Sequence, residues 1–321
     1  MARNPAGGAV SLHRYAVATA LATLCLIFIG GLVTSTESGL SVPDWPLSYG
    51  RLMPPMVGGV FYEHGHRMAA SAVGLLTIGL AVFLARREPR RWVRLLGYGA
   101  LAAVVAQGIL GGLTVLLLLP TAVSVAHACL AQTFFCLVVT IAVVTSPRWE
   151  NAEPAARGMA FRAGVVTVAA VFLQLLVGAV MRHTKAGLAI PDFPLSLGRV
   201  VPPLSSSAIA IHFAHRVMAL VVAGCVAAAV AAAFRSGRRG LKKAASGLGF
   251  LVVAQIALGA ATVLTKKAVP VATAHVAMGA LLLGTALAFT LGSLKRSPAL
   301  AREGAGERAA APSAEGVMAW Q

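Results

Sequence analysis

Long, almost uninterrupted apolar runs alternate with short polar segments along this chain. A helix needs roughly 20 apolar residues to cross a hydrocarbon core about 30 Å thick, and eight runs reach that length. They cover residues 14–34, 62–85, 93–117, 121–145, 159–181, 208–234, 241–265 and 269–292. The first run has no convincing small-residue cleavage site after it, so it is not a signal peptide. The pattern predicts an all-α integral membrane protein with eight transmembrane helices.

Composition and charge agree with this prediction. Of the 321 residues, 58% are hydrophobic and only 12% are charged, which excludes a soluble domain. The net charge of +17 suggests nucleic acid at first. However, 19 of the 27 Lys and Arg residues fall on one side of the membrane if the N-terminus is cytoplasmic, and eight on the other. This is the positive-inside bias. We therefore expect both termini in the cytoplasm of a bacterial-type cell membrane, lipid as the surroundings, and no nucleic-acid partner.

The chain repeats itself. The segment "VPDWPLSYGRLMPP" at 42–55 returns as "IPDFPLSLGRVVPP" at 190–203, and an offset of 148 also relates Gln107 to Gln255 and His127 to His275. His66 and His215 differ by 149, which one extra residue ahead of the sixth span would explain. The repeat predicts two tandem four-helix bundles in the same orientation, related by a pseudo-twofold axis along the membrane normal.

This organisation divides the chain into five parts. They are a cytoplasmic N-terminal segment (1–13), an N-terminal bundle (14–145), a cytoplasmic linker (146–158), a C-terminal bundle (159–292) and a cytoplasmic tail (293–321). The tail is rich in Ala, Gly, Pro and charge, which predicts disorder. Both copies of the repeated loop are expected outside the cell, as ordered lids over the bundles.

Four histidines recur about two turns inside their helices: His66, His127, His215 and His275. A single buried His is commonly a helix-to-helix hydrogen bond. Two per bundle at similar depth, in both copies, favour bis-histidine binding of haem iron. Zinc is the competing metal, but its structural sites usually include Cys ligands. The chain's cysteines fall within apolar spans, and no C-x-x-C-H motif is present.

Arginines near the outer edge are candidates to bind haem propionates. Arg67 and Arg216 directly follow a candidate ligand, and Arg51 and Arg199 lie in the repeated loops. Snorkelling to the interface or pairing with loop Asp residues is the alternative. Three other helices carry a Gln four residues before a small residue, in "QGILGGLTV", "QLLVGAVMR" and "QIALGAATV". There we expect helix packing and interhelical hydrogen bonds.

Taken together, these motifs resemble the haem A synthases. The similarity spans residues 28–292 and includes "GGLVTSTESGLS", "PDWPLSYG", "EHGHR", "AHACLAQ", "PDFPLSLG", "HFAHR" and "TAHVAMG". It implies oxidation of a ring methyl of haem O to a formyl group by successive hydroxylations and dehydration, giving haem A for terminal oxidases. Haem O synthase and oxidase assembly factors are the implied partners, with an electron donor that the sequence does not identify.

The resemblance also implies a division of labour. His66 and His127 match the substrate haem O site, Glu63 matches the catalytic glutamate, and His215 and His275 match the ligands of haem B. Glu63 lies three residues before His66, so the two share a helix face and the carboxyl group is expected to point toward the bound ring and move protons. The alternative is a helix-dipole contact or an ion pair with Arg67 at i+4.

This chain departs from the family pattern in two places. Residues 35–61 contain no Cys, whereas many bacterial members carry a Cys pair there. Thr34 stands where family members often have Arg, although the second copy has Arg182. The rival functions are a diheme electron carrier of the cytochrome b type and a haem transporter or chaperone. A diheme carrier usually stacks its haems across the bilayer, and a transporter does not need a carboxyl group beside just one His.

Overall fold

The structure, a computed structural model, describes the backbone of residues 5–296 and the side chains of residues 11–295. Within this part, eight long helices are joined by short connections. They are α1 (Pro5–Ser35), α2 (Gly59–Arg87), α3 (Arg91–Leu116), α4 (Thr121–Val144), α6 (Met159–His183), α7 (Ser207–Arg235), α8 (Arg239–Leu264) and α9 (Val269–Ser293). All eight are long and apolar enough to span a membrane. The predicted all-α class and the eight predicted spans are confirmed, whereas the pseudo-twofold axis stays a prediction.

The ends of the chain differ from the prediction in detail. Helix α1 begins at Pro5, nine residues before the predicted start of the span, because Pro is well tolerated in a first helical turn. The connection 146–158 contains a short helix α5 (Pro147–Glu150) and a strand β1 (Glu153–Pro154). Strand β1 pairs antiparallel with β2 (Lys295–Arg296). Most of the tail that was predicted to be disordered, and the first four residues, lie outside the described residues.

The helices of the N-terminal half (α1–α4) and of the C-terminal half (α6–α9) have matching neighbours. Helix α1 packs on α2 and α4, and α3 packs on both α2 and α4. In the same way α6 packs on α7 and α9, and α8 packs on both α7 and α9. The halves meet where α9 contacts α1 and α4 and where α4 contacts α6. As a result, α4 and α9 bury the largest share of their length.

The one-residue shift of the repeat is located inside a helix. Helices α2 and α7 both have 29 residues, and their first residues are 148 apart. The extra residue, expected ahead of the sixth span, is therefore taken up within the first turns of α7. Ser206 caps that helix by accepting a hydrogen bond from the Ile209 N–H at 3.3 Å, whereas Gly58 gives α2 no side-chain cap.

Small residues allow the two halves to approach closely. A Cβ placed on Gly284 in α9 would lie 2.8 Å from Cε1 of Phe135 in α4, closer than real Cβ contacts. By contrast, a Cβ on Gly224 in α7 would meet no atom within 4 Å. Close backbone approach at small residues is the usual way in which transmembrane helices pack, because lipid provides no hydrophobic driving force between them.

These two glycines provide a test of the junction. We expect Gly284→Val to destabilise the protein by about 1–3 kcal/mol, because the added side chain overpacks the α4–α9 contact. The change should be seen as a lower thermal unfolding temperature in detergent. Gly224→Val is the matched control, since it has the same cost in helix propensity without a clash. Equal unfolding temperatures for the two variants would contradict the close packing.

Candidate functional site

Each of the four histidines places its ring against a glycine of the preceding helix. A Cβ on that glycine would lie only 3.1–3.2 Å from the Cε1 atom of the ring. The pairs are His66 with Gly30, His127 with Gly111, His215 with Gly178 and His275 with Gly259. The four contacts therefore repeat one geometry, with the ligand candidate on the second helix of each pair and the small residue on the first.

The structure brings the two histidines of the C-terminal half together. The ring centroids of His215 and His275 are 6.5 Å apart. Two imidazoles on opposite sides of one metal ion place their ring centres roughly 6 Å apart, since each metal–nitrogen bond is about 2 Å long. His66 and His127 lie on the equivalent helices of the N-terminal half, α2 and α4. Among the described side chains, the ring contact of His215 with His275 is the only one between two histidines.

The donor set fits haem iron better than zinc. The Nδ1 atoms of all four rings are buried and have no partner among the described residues. The protein therefore leaves these imidazoles incompletely bonded, as expected for rings that serve another ligand. In the part of the chain that the structure covers, His, Cys, Asp and Glu side chains form no group of three or more that could hold a metal ion. Two imidazoles per half match the axial ligation of a haem.

The first loop (residues 36–58) and the second loop (residues 184–206) have the same internal hydrogen bonds. Asp44 accepts two successive backbone N–H groups, five and six residues ahead, at 2.6 and 2.8 Å. Asp192 accepts the equivalent pair at 2.7 and 2.8 Å. These bonds, above all those from Gly50 and Gly198, hold the pKa of both carboxyl groups below the ordinary value of 3.8. The repeated sequence thus encodes a repeated, ordered loop.

Two of the candidate arginines hold these loops. Arg67 donates to three carbonyl groups of the first loop at 2.7–3.3 Å. Arg216 donates to three carbonyl groups of the second loop at 2.7–3.0 Å and to the Ser196 hydroxyl at 3.3 Å. Arg51 and Arg199 are exposed, and their side chains make no hydrogen bond to another described residue. The two helix arginines therefore hold the loops by hydrogen bonds, whereas the side chains of the two loop arginines have no hydrogen-bond partner among the described residues.

Glu63 and His212 occupy equivalent places where the repeat breaks. Glu63, only 4% exposed, accepts the Val42 N–H at 2.8 Å and forms an ion pair with Arg67 at 2.7 Å. His212 Nδ1 accepts the N–H of Ile190 at 3.2 Å, and Ile190 is the repeat equivalent of Val42. The i+4 ion pair considered from the sequence is formed. Both side chains hold the loop, but only the N-terminal half has a carboxylate there.

Sequence reasoning missed two contacts between the first loop and the helices below it. The Nδ1 atom of His64 is hydrogen-bonded to the Ser48 hydroxyl at 2.8 Å, and its Nε2 atom is buried without a partner. The Trp45 ring lies against α3, since a Cβ on Gly112 would be 2.6 Å from its Cδ2 atom. Gly112 is next to Gly111, which contacts His127. The loop therefore covers the helix turn beside this histidine, as a lid would.

The end of α6 links the two halves. Arg182 Nη2 donates to the carbonyl of Gly31 at 3.1 Å and to the Ser35 hydroxyl at 2.7 Å, both on α1. Thr273 on α9 donates to the same hydroxyl at 3.1 Å. Arg182 was noted in the sequence because it is the repeat equivalent of Thr34. Nothing in the sequence indicated Ser35 as its hydrogen-bond partner.

Comparisons with known proteins identify the family of this chain. The chain matches the family model COX15-CtaA, described as cytochrome oxidase assembly protein, over residues 13–58 and 56–287. It is 31% identical over 262 residues to "Heme A synthase" of Symbiobacterium thermophilum, covering 78% of this chain and 85% of the relative. It is 28% identical over 304 residues to that of Halalkalibacterium halodurans (90% and 99%) and 32% identical over 327 residues to that of Caulobacter sp. strain K31 (84% and 92%).

The aspartates predict how the first loop responds to acid. Because the pKa of Asp44 is lowered below 3.8 in the folded protein, its contribution to loop stability is present above that pH and lost as the pH falls through the lowered pKa. In a variant with Trp45 as the sole Trp, we expect constant emission from pH 7 to about pH 4 and a red shift below. Asp44→Asn should shift emission at neutral pH. Asp192→Asn, in the second loop, should leave Trp45 emission unchanged. Equal emission shifts in both variants would refute the role of Asp44 in holding the first loop.

Proposed function

This chain belongs to the cytochrome oxidase assembly protein family COX15-CtaA, and we propose that it is a haem A synthase. The curated relatives compared above share this name, and their similarity extends over most of both chains. The protein is a multi-pass membrane oxidoreductase that takes haem O as substrate and forms haem A. The observation that supports this most directly is the pair of glycine-backed histidines, with buried and unpartnered Nδ1 atoms, in each half of a family member.

We assign the substrate to the N-terminal half. His66 and His127 would hold haem O there, and the first loop with Trp45 would limit the access of water to the ring. The reaction converts a ring methyl to a formyl group through hydroxylations and loss of water, so protons must be taken up and released nearby. Glu63 is the carboxylate of this half, and we propose it as the catalytic group that moves them. To do so it must exchange its bonds to Arg67 and Val42 during turnover.

We assign a resident haem B to the C-terminal half. The 6.5 Å spacing of His215 and His275 accommodates one iron atom between them. When bound, haem B would supply one-electron chemistry and relay electrons to the substrate site. His212 replaces the carboxylate in this half, which fits a cofactor that carries electrons and is not itself modified. The contacts of α4 with α6 and α9, and of α1 with α9, connect the halves through which such a relay would run.

The propionate groups of both haems need cationic partners. The side chains of Arg51 and Arg199 are exposed and make no hydrogen bond to another described residue, so they are available at the loop edge. Arg67 and Arg216 would act mainly by shaping the loops, with part of each guanidinium left for a propionate. The absence of Cys from residues 35–61 argues against electron input through a thiol pair in the first loop.

The membrane orientation follows from the charge distribution. Basic residues end α2 and α7, at Arg86, Arg87 and Arg235, whereas the two loops lie at the opposite helix ends. Under the positive-inside rule this supports our proposal that both termini are cytoplasmic and that both haem sites lie toward the outer side. We further propose two functional units, residues 14–145 and 159–292, with haem O synthase and oxidase assembly factors as partners.

Pigment analysis tests the haem assignment. We expect His215→Ala or His275→Ala to remove haem B from the purified protein, since each loses one axial ligand. Haem type and amount would be measured by acid–acetone extraction and chromatography. His13→Ala is the control, because His13 is bonded to the carbonyl of Ala142 away from either pair. Wild-type haem B content in both ligand variants would make the assignment wrong.

Paired substitutions separate the catalytic role of Glu63 from its loop contact. Glu63→Gln and His212→Gln both keep a hydrogen-bonding group at the loop-holding position. We expect Glu63→Gln to retain haem B, to abolish most haem A formation and to accumulate haem O or a hydroxylated intermediate. His212→Gln should leave haem A formation largely intact. If both variants lose haem A equally, or if Glu63→Gln makes normal amounts, the catalytic proposal fails.

A further inference from the structure

Three of the four histidines are held by a glutamine on the preceding helix. Gln107 Nε2 donates to the backbone carbonyl of His127 at 3.0 Å and lies 3.3 Å from its Nε2 atom. Gln174 has the same two distances, 3.0 and 3.3 Å, to His215. Gln255 Nε2 donates to the carbonyl of His275 at 3.1 Å. In each case the glutamine lies four residues before the glycine that contacts the histidine ring.

His66 lacks this partner. The residue of α1 at the equivalent place, 148 before Gln174 and four before Gly30, is Leu26. Leu26 packs against the apolar core of the N-terminal half. Gly30 is retained, and the ring of His66 approaches it as closely as the other rings approach their glycines. The glycine contact is therefore common to all four sites, and the amide is absent from one.

The missing amide has a physical consequence. A hydrogen bond between helices restrains both the backbone turn that carries the histidine and the side chain that donates it. Groups of this kind around metal-binding histidines orient the ligand and tune its strength. In His127 and His215 the amide nitrogen also lies 3.3 Å from the Nε2 atom of the ring. Among the described residues of α1, none donates a hydrogen bond to His66, and Gly30 contacts its ring.

We propose that Gln107, Gln174 and Gln255 are positioning residues for His127, His215 and His275, and that Leu26 leaves His66 as the one movable ligand. This inference rests on the proposed haem-binding function. The C-terminal half then has two restrained ligands, as a permanent cofactor requires. The N-terminal half has one restrained and one movable ligand, which suits a substrate that must enter, react and leave. The side of the site facing His66 is accordingly the side open to exchange.

Carbon monoxide reports ligand mobility without reference to turnover, because it binds a reduced six-coordinate haem only after a histidine has left. We expect wild-type protein to show one fast CO-binding phase, from the N-terminal site. Leu26→Gln should slow this phase roughly three- to twenty-fold, the range expected for one interhelical hydrogen bond in a membrane protein. Gln174→Leu, the reciprocal exchange, should add a second CO-binding phase from the C-terminal site.

The controls separate this inference from the proposed function. Leu26→Met adds no hydrogen-bonding amide and should bind CO like the wild type. Gln107→Leu should speed the N-terminal phase, and it provides an independent test if Leu26→Gln does not accumulate. Haem content, measured on the same samples, reports the proposed function: protein without haem would refute that function. Normal haem content with unchanged CO kinetics in Leu26→Gln, Gln174→Leu and Gln107→Leu would overturn the positioning role alone.

Discussion

The approach of a histidine ring to a glycine backbone is the contact on which the rest of the structure depends. An imidazole inside an apolar bundle needs space for its ring and a partner for its nitrogen atoms. A Cβ on the facing glycine would lie 3.1–3.2 Å from the Cε1 atom of the ring. Glycine therefore sets the distance between α1 and α2, α3 and α4, α6 and α7, and α8 and α9. Once these helix pairs are spaced for a flat ring, each half encloses two histidines at a similar depth.

The loops complete each half by the same means. An aspartate closes the loop on itself, and an arginine directly after a histidine bonds the loop carbonyls. The helix turn that presents the candidate ligand is thus tied to the lid above it. This coupling explains why the chain contains the loop twice. One copy is bonded by the arginine that follows His66, and the other by the arginine that follows His215.

The two halves differ in sequence at a few positions of an otherwise common framework. Glu63 is replaced by His212, which keeps the bond to the loop but removes the carboxylate. Leu26 is replaced by Gln174, which adds a restraint on a histidine. Thr34 is replaced by Arg182, which reaches across to Ser35 on α1. Each replacement leaves the glycine–histidine contacts intact, so chemistry could diverge without loss of the fold.

The sequence by itself determined the eight spans, since membrane thickness sets their length. It also assigned all four histidines to equivalent helix positions, since the repeat offset relates each position in one half to its counterpart in the other. It also predicted the interhelical glutamine bonds. Only the tertiary structure decided that Arg67 serves the loop, that Ser48 bonds His64 and that Arg182 meets Ser35. Periodicity relates residues on one helix face, whereas these partners lie 16 to 147 residues apart and meet only when the helices pack.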